Sequence, residues 1–332
     1  MDIKYFRLVY IGLILVFFSY KLSGYNGSVL GENNSDQSGS NSASILTEVQ
    51  FPDTQLEEGV RKISNIKYVN DSEQSKTLDL FLPEKIYAEK KYPLIIYIHG
   101  GAWLEGSKDY FKDYRIVKAG FIVASVDYRL SGEDLFPAQI HDVKAALRWL
   151  RKNSNIYYID TSNIGAYGES AGGHLALLLG TTSDIPELNG NIGYELSEST
   201  DVKAVVSEYG ITNLASIAKQ CEENSACITD YRENGSIINK LLGCNYNECG
   251  PELNQASPIN YLTPDDASMY LFHSKKDTIV PFAQSVEFNT KASEIESLNI
   301  QMSLSENGAH IDGELREKYL SEIIKFFSDS LK

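Results

Sequence analysis

A serine flanked two residues to either side by glycine, Gly168-Glu169-Ser170-Ala171-Gly172, constrains this chain more than any other stretch. Residues 162–167 before it read as a short buried strand, and 171–179 after it as a helix packed back on that strand. Where a strand reverses into a helix at a single residue, only small neighbours fit, hence the two glycines. The same turn lifts the serine hydroxyl out of the top of a sheet and aims the next backbone N–H at whatever reacts there. Because glycine is common, at about 7% of residues, this pattern needs a second signal beside it.

That signal is His99-Gly100-Gly101-Ala102-Trp103, which follows 92–98, an apolar, β-branched run that reads as a strand. A glycine pair ending a strand leaves backbone N–H groups free to face a developing oxyanion. A plain tight turn is the simpler alternative. The order of the two motifs favours chemistry, since a hydrolase of this kind places its oxyanion loop before its serine elbow.

A serine hydroxyl needs a base to take its proton, and the base needs a carboxylate to hold its tautomer. In this arrangement the chain order is serine, acid, histidine. Only His174, His273 and His310 follow Ser170. His174 lies one turn along the elbow helix, beside the serine and not above it, and His273 falls inside the strand 269–274 as a packed residue. His310 lies in the small-residue loop 306–312 after the strand 300–304, where catalytic histidines sit, and is the expected base. Asp277, just past the end of the 269–274 strand, is the expected acid. Asp265 and Asp266 precede that strand, and Asp312 is too close in sequence to His310.

With these residues in hand the chain resembles an α/β-hydrolase of the hormone-sensitive-lipase-like branch. It is most similar to the bifunctional feruloyl and acetyl-xylan esterases and their carboxylesterase relatives. The likeness runs from about Val60 to the C-terminus. It includes Gly106-Ser107-Lys108, Asp127-Tyr128-Arg129-Leu130-Ser131, Phe136-Pro137-Ala138-Gln139, Asp142, Trp149, Ala256-Ser257-Pro258 and Asp277-Thr278-Ile279-Val280-Pro281, besides the two motifs above. The resemblance implies a mostly parallel eight-stranded sheet with helices on both faces and a small cysteine-containing lid insertion. It also implies a triad of Ser170, Asp277 and His310, oxyanion donors at Gly101, Ala102 and Ala171, and chemistry without a metal or organic cofactor. Alanine stands at 102 where many relatives have glycine, but the donor there is a backbone N–H. Arylformamidases share the His-Gly-Gly-x-Trp pattern and form the rival enzymatic reading. A catalytically dead binding module is the rival outside enzymes, although none of the usual losses is present.

Beyond the N-terminal segment and linker the chain alternates strand and helix, the pattern of a mostly parallel sheet covered on both faces. Residues 62–69 and 77–82 form a leading antiparallel pair, and 121–126 and 202–207 are further strands. Ile140, Val143, Leu147 and Leu150 recur at helical spacing, so nearby Trp149 is expected in the core. Helices are expected over 282–296 and 314–327. Between 211 and 263 the pattern breaks, and this insertion holds all four cysteines, Cys221, Cys227, Cys244 and Cys249. Their C-x5-C and C-x4-C spacings favour local disulfides over a zinc site, which wants tighter pairs.

At 332 residues and 42% hydrophobic, the chain can bury one large core. Its net charge of −15 argues against nucleic acid and anionic membrane surfaces as partners, since both demand basic patches. The expected partner is a small-molecule or polysaccharide-linked ester. Lys4 and Arg7 precede an uncharged, mostly apolar run, 8–20, closed by Lys21. This is shorter than the ~20 residues of a spanning helix and within the ~7–15 of a signal-peptide core. Residues 1–24 are therefore read as a signal peptide or signal anchor, the only expected link to a membrane, and the protein as extracytoplasmic. Residues 25–48, rich in Ser, Asn and Gly, read as a flexible linker, and 49–332 as the hydrolase domain.

Overall fold

A computed structural model describes residues 46–51, 55–69, 76–193, 196–310 and 313–332. The targeting segment, the linker as far as residue 45, and Asp312 lie outside the described residues. A compact unit starts at Leu46. Its first residues are tied down by Val49 N–H donating to Ile86 O (2.8 Å) and Ala88 N–H donating to Thr47 O (2.9 Å).

Among the described residues nine strands make one sheet: β1 (Gln55–Glu57), β2 (Val60–Lys67), β3 (Thr77–Pro83), β4 (Tyr92–Ile98), β5 (Ile122–Val126), β6 (Ile159–Glu169), β7 (Ala204–Glu208), β8 (Ser268–Ser274) and β9 (Ile300–Ser305). Their spatial order is β1-β2-β3-β5-β4-β6-β7-β8-β9. The first three strands pair antiparallel with one another and with β5, whereas all pairings from β5 to β9 are parallel. The eight expected strands are β2 to β9, and the three-residue β1 extends the antiparallel edge.

β4 illustrates why a central parallel strand can be apolar throughout. Leu94, Ile96 and Ile98 face one layer of the core, and Ile95 and Tyr97 face the other. A strand with no wet face cannot alternate polar and apolar residues. The first layer is covered by the helices Ala138–Lys152, Ala171–Thr181 and Ala283–Ser293, the second by Tyr114–Lys118 and Gly313–Leu331. Ile140, Val143, Leu147 and Leu150 are fully buried as their spacing predicts, and Trp149 packs half-buried against the same layer.

The insertion 211–263 folds as short helices, Ile217–Glu223, Ile237–Leu242 and Pro251–Gln255. Disulfides join Cys221 to Cys227 and Cys244 to Cys249, with Cα atoms 5.2 and 5.6 Å apart. Short helices have little propensity to stand alone. Here they close over buried Leu214, Ile217, Tyr231, Ile238 and Leu241. The insertion is sewn to the turn after β8 by Ile228 N–H donating to Thr278 O (2.9 Å) and Tyr231 O–H donating to Ile279 O (2.7 Å). Among the described residues no helix is long and apolar enough to cross a membrane.

Candidate active site

Ser170 sits between β6 and the helix Ala171–Thr181 with φ 53° and ψ −120°, a left-handed turn that a non-glycine residue adopts only under constraint. Its neighbours supply that constraint. A Cβ on Gly168 would stand 2.2 Å from the Gly172 carbonyl oxygen, and one on Gly172 would stand 2.0 Å from that of Ile98. The Ser170 N–H donates to Glu208 O at 2.8 Å, which locks the turn onto the end of β7. Ala171 is the first residue of the helix, so its N–H has no carbonyl one turn back.

His310 reaches the serine from the loop after β9. Its Nε2 lies 3.0 Å from Ser170 Oγ, and its Nδ1 lies 2.7 Å from Asp277 Oδ2. These contacts assign the tautomer: Nδ1–H donates to the carboxylate and Nε2 accepts from the hydroxyl. Asp277 occupies the turn after β8. The N–H groups of Ile279 and Val280 donate to its Oδ1 at 2.8 and 2.9 Å. Burial alone would raise its pKa, but hydrogen bonds from His273 and His310 outweigh that and hold the carboxyl well below the ordinary range. A hydroxyl, imidazole and carboxylate aligned in this way can pass a proton off the hydroxyl as it attacks.

The other histidines play supporting parts. His174 is fully buried, and its Nδ1 accepts from the Trp103 indole N–H at 3.2 Å while its Nε2–H donates to Ala256 O at 2.7 Å. Burial lowers its pKa to about 4, so it stays neutral. His273 lies within β8 as expected, but its Nε2 is also 3.3 Å from Asp277 Oδ2, a contact not foreseen in the sequence. The i, i+4 spacing of His273 and Asp277 across a strand end was the available signal. Asp266 caps its own turn through Thr263, away from the site.

Gly101 has φ +110°, and a Cβ there would lie 2.1 Å from Glu105 O, so only glycine fits. Ala102 and Trp103 continue the left-handed path at φ 54° and 58°. Behind this loop, Gly106 packs where a Cβ would meet His99 Nδ1 at 2.4 Å, and Asp127 Oδ1 accepts from Lys108 N–H at 2.7 Å. Arg129 forks onto buried Asp142, with Nη2 to Oδ1 at 2.8 Å and Nε to Oδ2 at 2.9 Å. These are residues of the motifs quoted above, and they act as the scaffold of the loop.

Gly101, Ala102, Ala171, Ser170 and His310 all line one cavity of about 560 Å³. One wall is apolar, formed by Ile211 and Ile237 of the insertion with Ile279 and Val280 of the acid turn. Polar residues Glu105, Asp109, Tyr110 and Lys112 also line the cavity. Gly100, Trp103, Glu169, Tyr209 and Arg316 complete the lining.

A protein-family model described as BD-FAE matches residues 78–292, from β3 through the helix that follows the acid turn. The chain belongs to the BD-FAE family. As a BD-FAE member it is 27% identical over 256 residues to the esterase LipQ of Mycobacterium tuberculosis, covering 75% of this chain and 58% of LipQ. It is 31% identical over 205 residues to LipC of the same organism, covering 60% of this chain and 48% of LipC. The chain thus spans about half the length of these relatives. Among solved structures, a truncated carbohydrate esterase from gut microbiota matches at TM-score 0.71 and 30% identity, over 81% of this chain and 95% of that one. A bifunctional GH43-CE protein of Bacteroides eggerthii matches at TM-score 0.73 and 31% identity, over 82% and 38%. The three lining residues missed in the sequence have different standing within this BD-FAE chain. Glu169 is the variable position of the serine motif, Tyr209 follows β7, and Arg316 lies in the final helix, beyond the matched residues.

Proposed function

We propose that the protein is a serine carboxylesterase preferring short acyl esters, acetyl first, borne on carbohydrate or phenolic alcohols. The observation that carries this reading is the continuous hydrogen-bonded chain from Ser170 through His310 to Asp277, opening on a cavity lined by Gly101, Ala102 and Ala171. Ser170 Oγ attacks the ester carbonyl while His310 Nε2 takes its proton, and Asp277 holds the imidazolium that forms. The N–H groups of Gly101, Ala102 and Ala171 stabilise the tetrahedral oxyanion, each such donor being worth about 100–1,000-fold in rate. His310 then protonates the departing alcohol, and water repeats the cycle on the acyl-enzyme.

Two features favour the substrate class. The cavity, at about 560 Å³, has room beyond an acetyl group for an attached alcohol, and its lining includes ionisable side chains suited to hydroxyl-rich ligands. The names borne by the relatives, esterase and carbohydrate esterase, accord with it. The apolar run 8–20, read as a signal segment, and the two disulfides, which persist in oxidising compartments, support an extracytoplasmic location. The test is a p-nitrophenyl ester series run beside acetylated xylan, methyl ferulate and an aryl formamide. Acetate should lead. Faster turnover of decanoyl to palmitoyl esters, or formamide hydrolysis above ester hydrolysis, would sink the substrate ranking while leaving the triad standing.

A further inference from the structure

The Ser170–His310 contact has to be held across the sheet, because the serine ends β6 and the histidine follows β9, with β7 and β8 between. At about 4.8 Å per strand this spacing leaves the histidine loop free to drift unless something ties it back to the elbow. His310 is fixed to the acid turn by Asp277, which lies on the same side of the gap and supplies no such tie.

Glu169, the residue immediately before the serine, supplies one. Its Oε1 accepts from Tyr97 O–H at 2.5 Å. Its Oε2 accepts from Tyr209 O–H at 2.9 Å and from Arg316 Nη1 at 3.2 Å. Arg316 lies in the helix Gly313–Leu331, which begins directly after the histidine loop, so its guanidinium joins that helix to the elbow. The guanidinium also bonds Asp113, Nη2 to Oδ2 at 2.8 Å and Nε to Oδ2 at 3.1 Å. Burial disfavours its charge, but Tyr167 and the carboxylates of Glu169, Glu208 and Asp113 keep it protonated. Tyr209 closes the triangle. With its hydroxyl on Glu169, its ring stands edge-on to the His310 ring, centroids 4.6 Å apart at 61°. Its backbone lies at φ 41°, held by its N–H donating to Phe272 O at 2.7 Å. A bulky side chain at positive φ persists only where its surroundings over-determine it.

We propose that Glu169, Tyr209 and Arg316 form a clamp of positioning residues that sets the distance and ring orientation of His310 relative to Ser170. The inference rests on the serine-esterase reading above and deepens it. Loss of the clamp should slow the proton transfers that His310 performs while leaving substrate binding nearly intact. Its members touch three elements at once, the elbow, the end of β7 and the final helix, so removing one tether loosens the imidazole without emptying the site.

The test uses the full chain and p-nitrophenyl acetate, with kcat and KM separated and the fluorophosphonate labelling rate measured beside them. Tyr209→Phe keeps the ring and removes only the hydroxyl tether. It should lower kcat by about 10–100-fold, the scale of a small misplacement of a reacting group. KM and the thermal midpoint should change little. Glu169→Gln should behave likewise, and the double variant should lose no more than the worse single variant. Arg316→Lys should recover part of what Arg316→Gln loses; if neither folds, Tyr209→Phe decides alone. Wild-type kcat in Tyr209→Phe, or an effect confined to KM, would overturn the clamp. Activity surviving in Ser170→Ala would instead overturn the esterase reading, so the two failures are distinguishable.

Discussion

Trp103 of the oxyanion loop donates its indole N–H to Nδ1 of His174 on the elbow helix, 3.2 Å away, and the rings meet edge to face. The two glycine-rich turns of the site are therefore joined beneath the cavity by one buried, neutral pair. Trp103→Phe keeps the packing but strands the His174 acceptor, which costs about 1–3 kcal/mol for a buried polar group left unpaired. Thermal melts should register this loss, and kcat should fall more than KM rises, because the loop carrying Gly101 and Ala102 loses its anchor.

The same histidine predicts acid sensitivity. Its pKa is lowered from 6.5 to about 4 by burial, so below 6.5 the unfolded chain binds a proton that the folded chain refuses. Stability supplied by neutral His174 is present above pH 6.5 and lost as pH falls through about 4, a total of about 3 kcal/mol. His174→Gln should flatten the dependence of the thermal midpoint on pH across that window. An unchanged slope would assign the acid sensitivity elsewhere.

Glu208 predicts the opposite trend. Burial raises its pKa from 4.5 to about 7, and one of its carboxylate oxygens is buried without a hydrogen-bond partner. Between those values the folded chain holds a proton that the unfolded chain has released, so stability from this group falls as pH rises through the window. Glu208→Gln should raise the thermal midpoint at pH 8 and leave it nearly unchanged at pH 5. Its amide oxygen can still accept from the Tyr167 hydroxyl, which lies 2.7 Å from the wild-type carboxylate.

Ser170→Ala should abolish fluorophosphonate labelling and lower kcat by ~10⁴ or more, as expected when a nucleophile is removed from a working triad. Retained labelling at another residue, read by peptide mass, would reassign the nucleophile.

The two disulfides should differ in effect. Each closes a short loop and contributes at most about 2–3 kcal/mol in chain-entropy terms. The Cys221–Cys227 loop, however, leads directly into Ile228 and Tyr231, which bond the acid turn. Replacing Cys221 and Cys227 with serine should raise KM before it unfolds the sheet, whereas the same change at Cys244 and Cys249 should leave kinetics closer to wild type. Intact mass and thiol titration of the untreated protein should find no free thiol.

The sequence carried the elbow, the oxyanion loop and the expected base and acid because each depends on local turn chemistry and on chain order. Gly168, Gly172 and Gly101 have no room for a side chain, and such positions leave a mark in one dimension. Interior parallel strands such as β4, β5 and β7 were legible because strands buried on both faces read as apolar runs. β1 was missed because its three residues, Gln-Leu-Glu, carry no apolar run. Tyr209 and Arg316 were out of reach for another reason. Their shared partner, Glu169, reaches them because β6 lies beside β7 and the final helix packs on both strands, and no spacing along the chain encodes that adjacency.

Ile279 and Val280 line the cavity and give their peptide N–H groups to Asp277. The cavity lining and the Asp277 contacts thus draw on the same two residues. Every amino acid except proline supplies that N–H. A library randomised at these two positions, with proline left out, can therefore search acyl-group preference while each member inherits the same hydrogen-bonded acid.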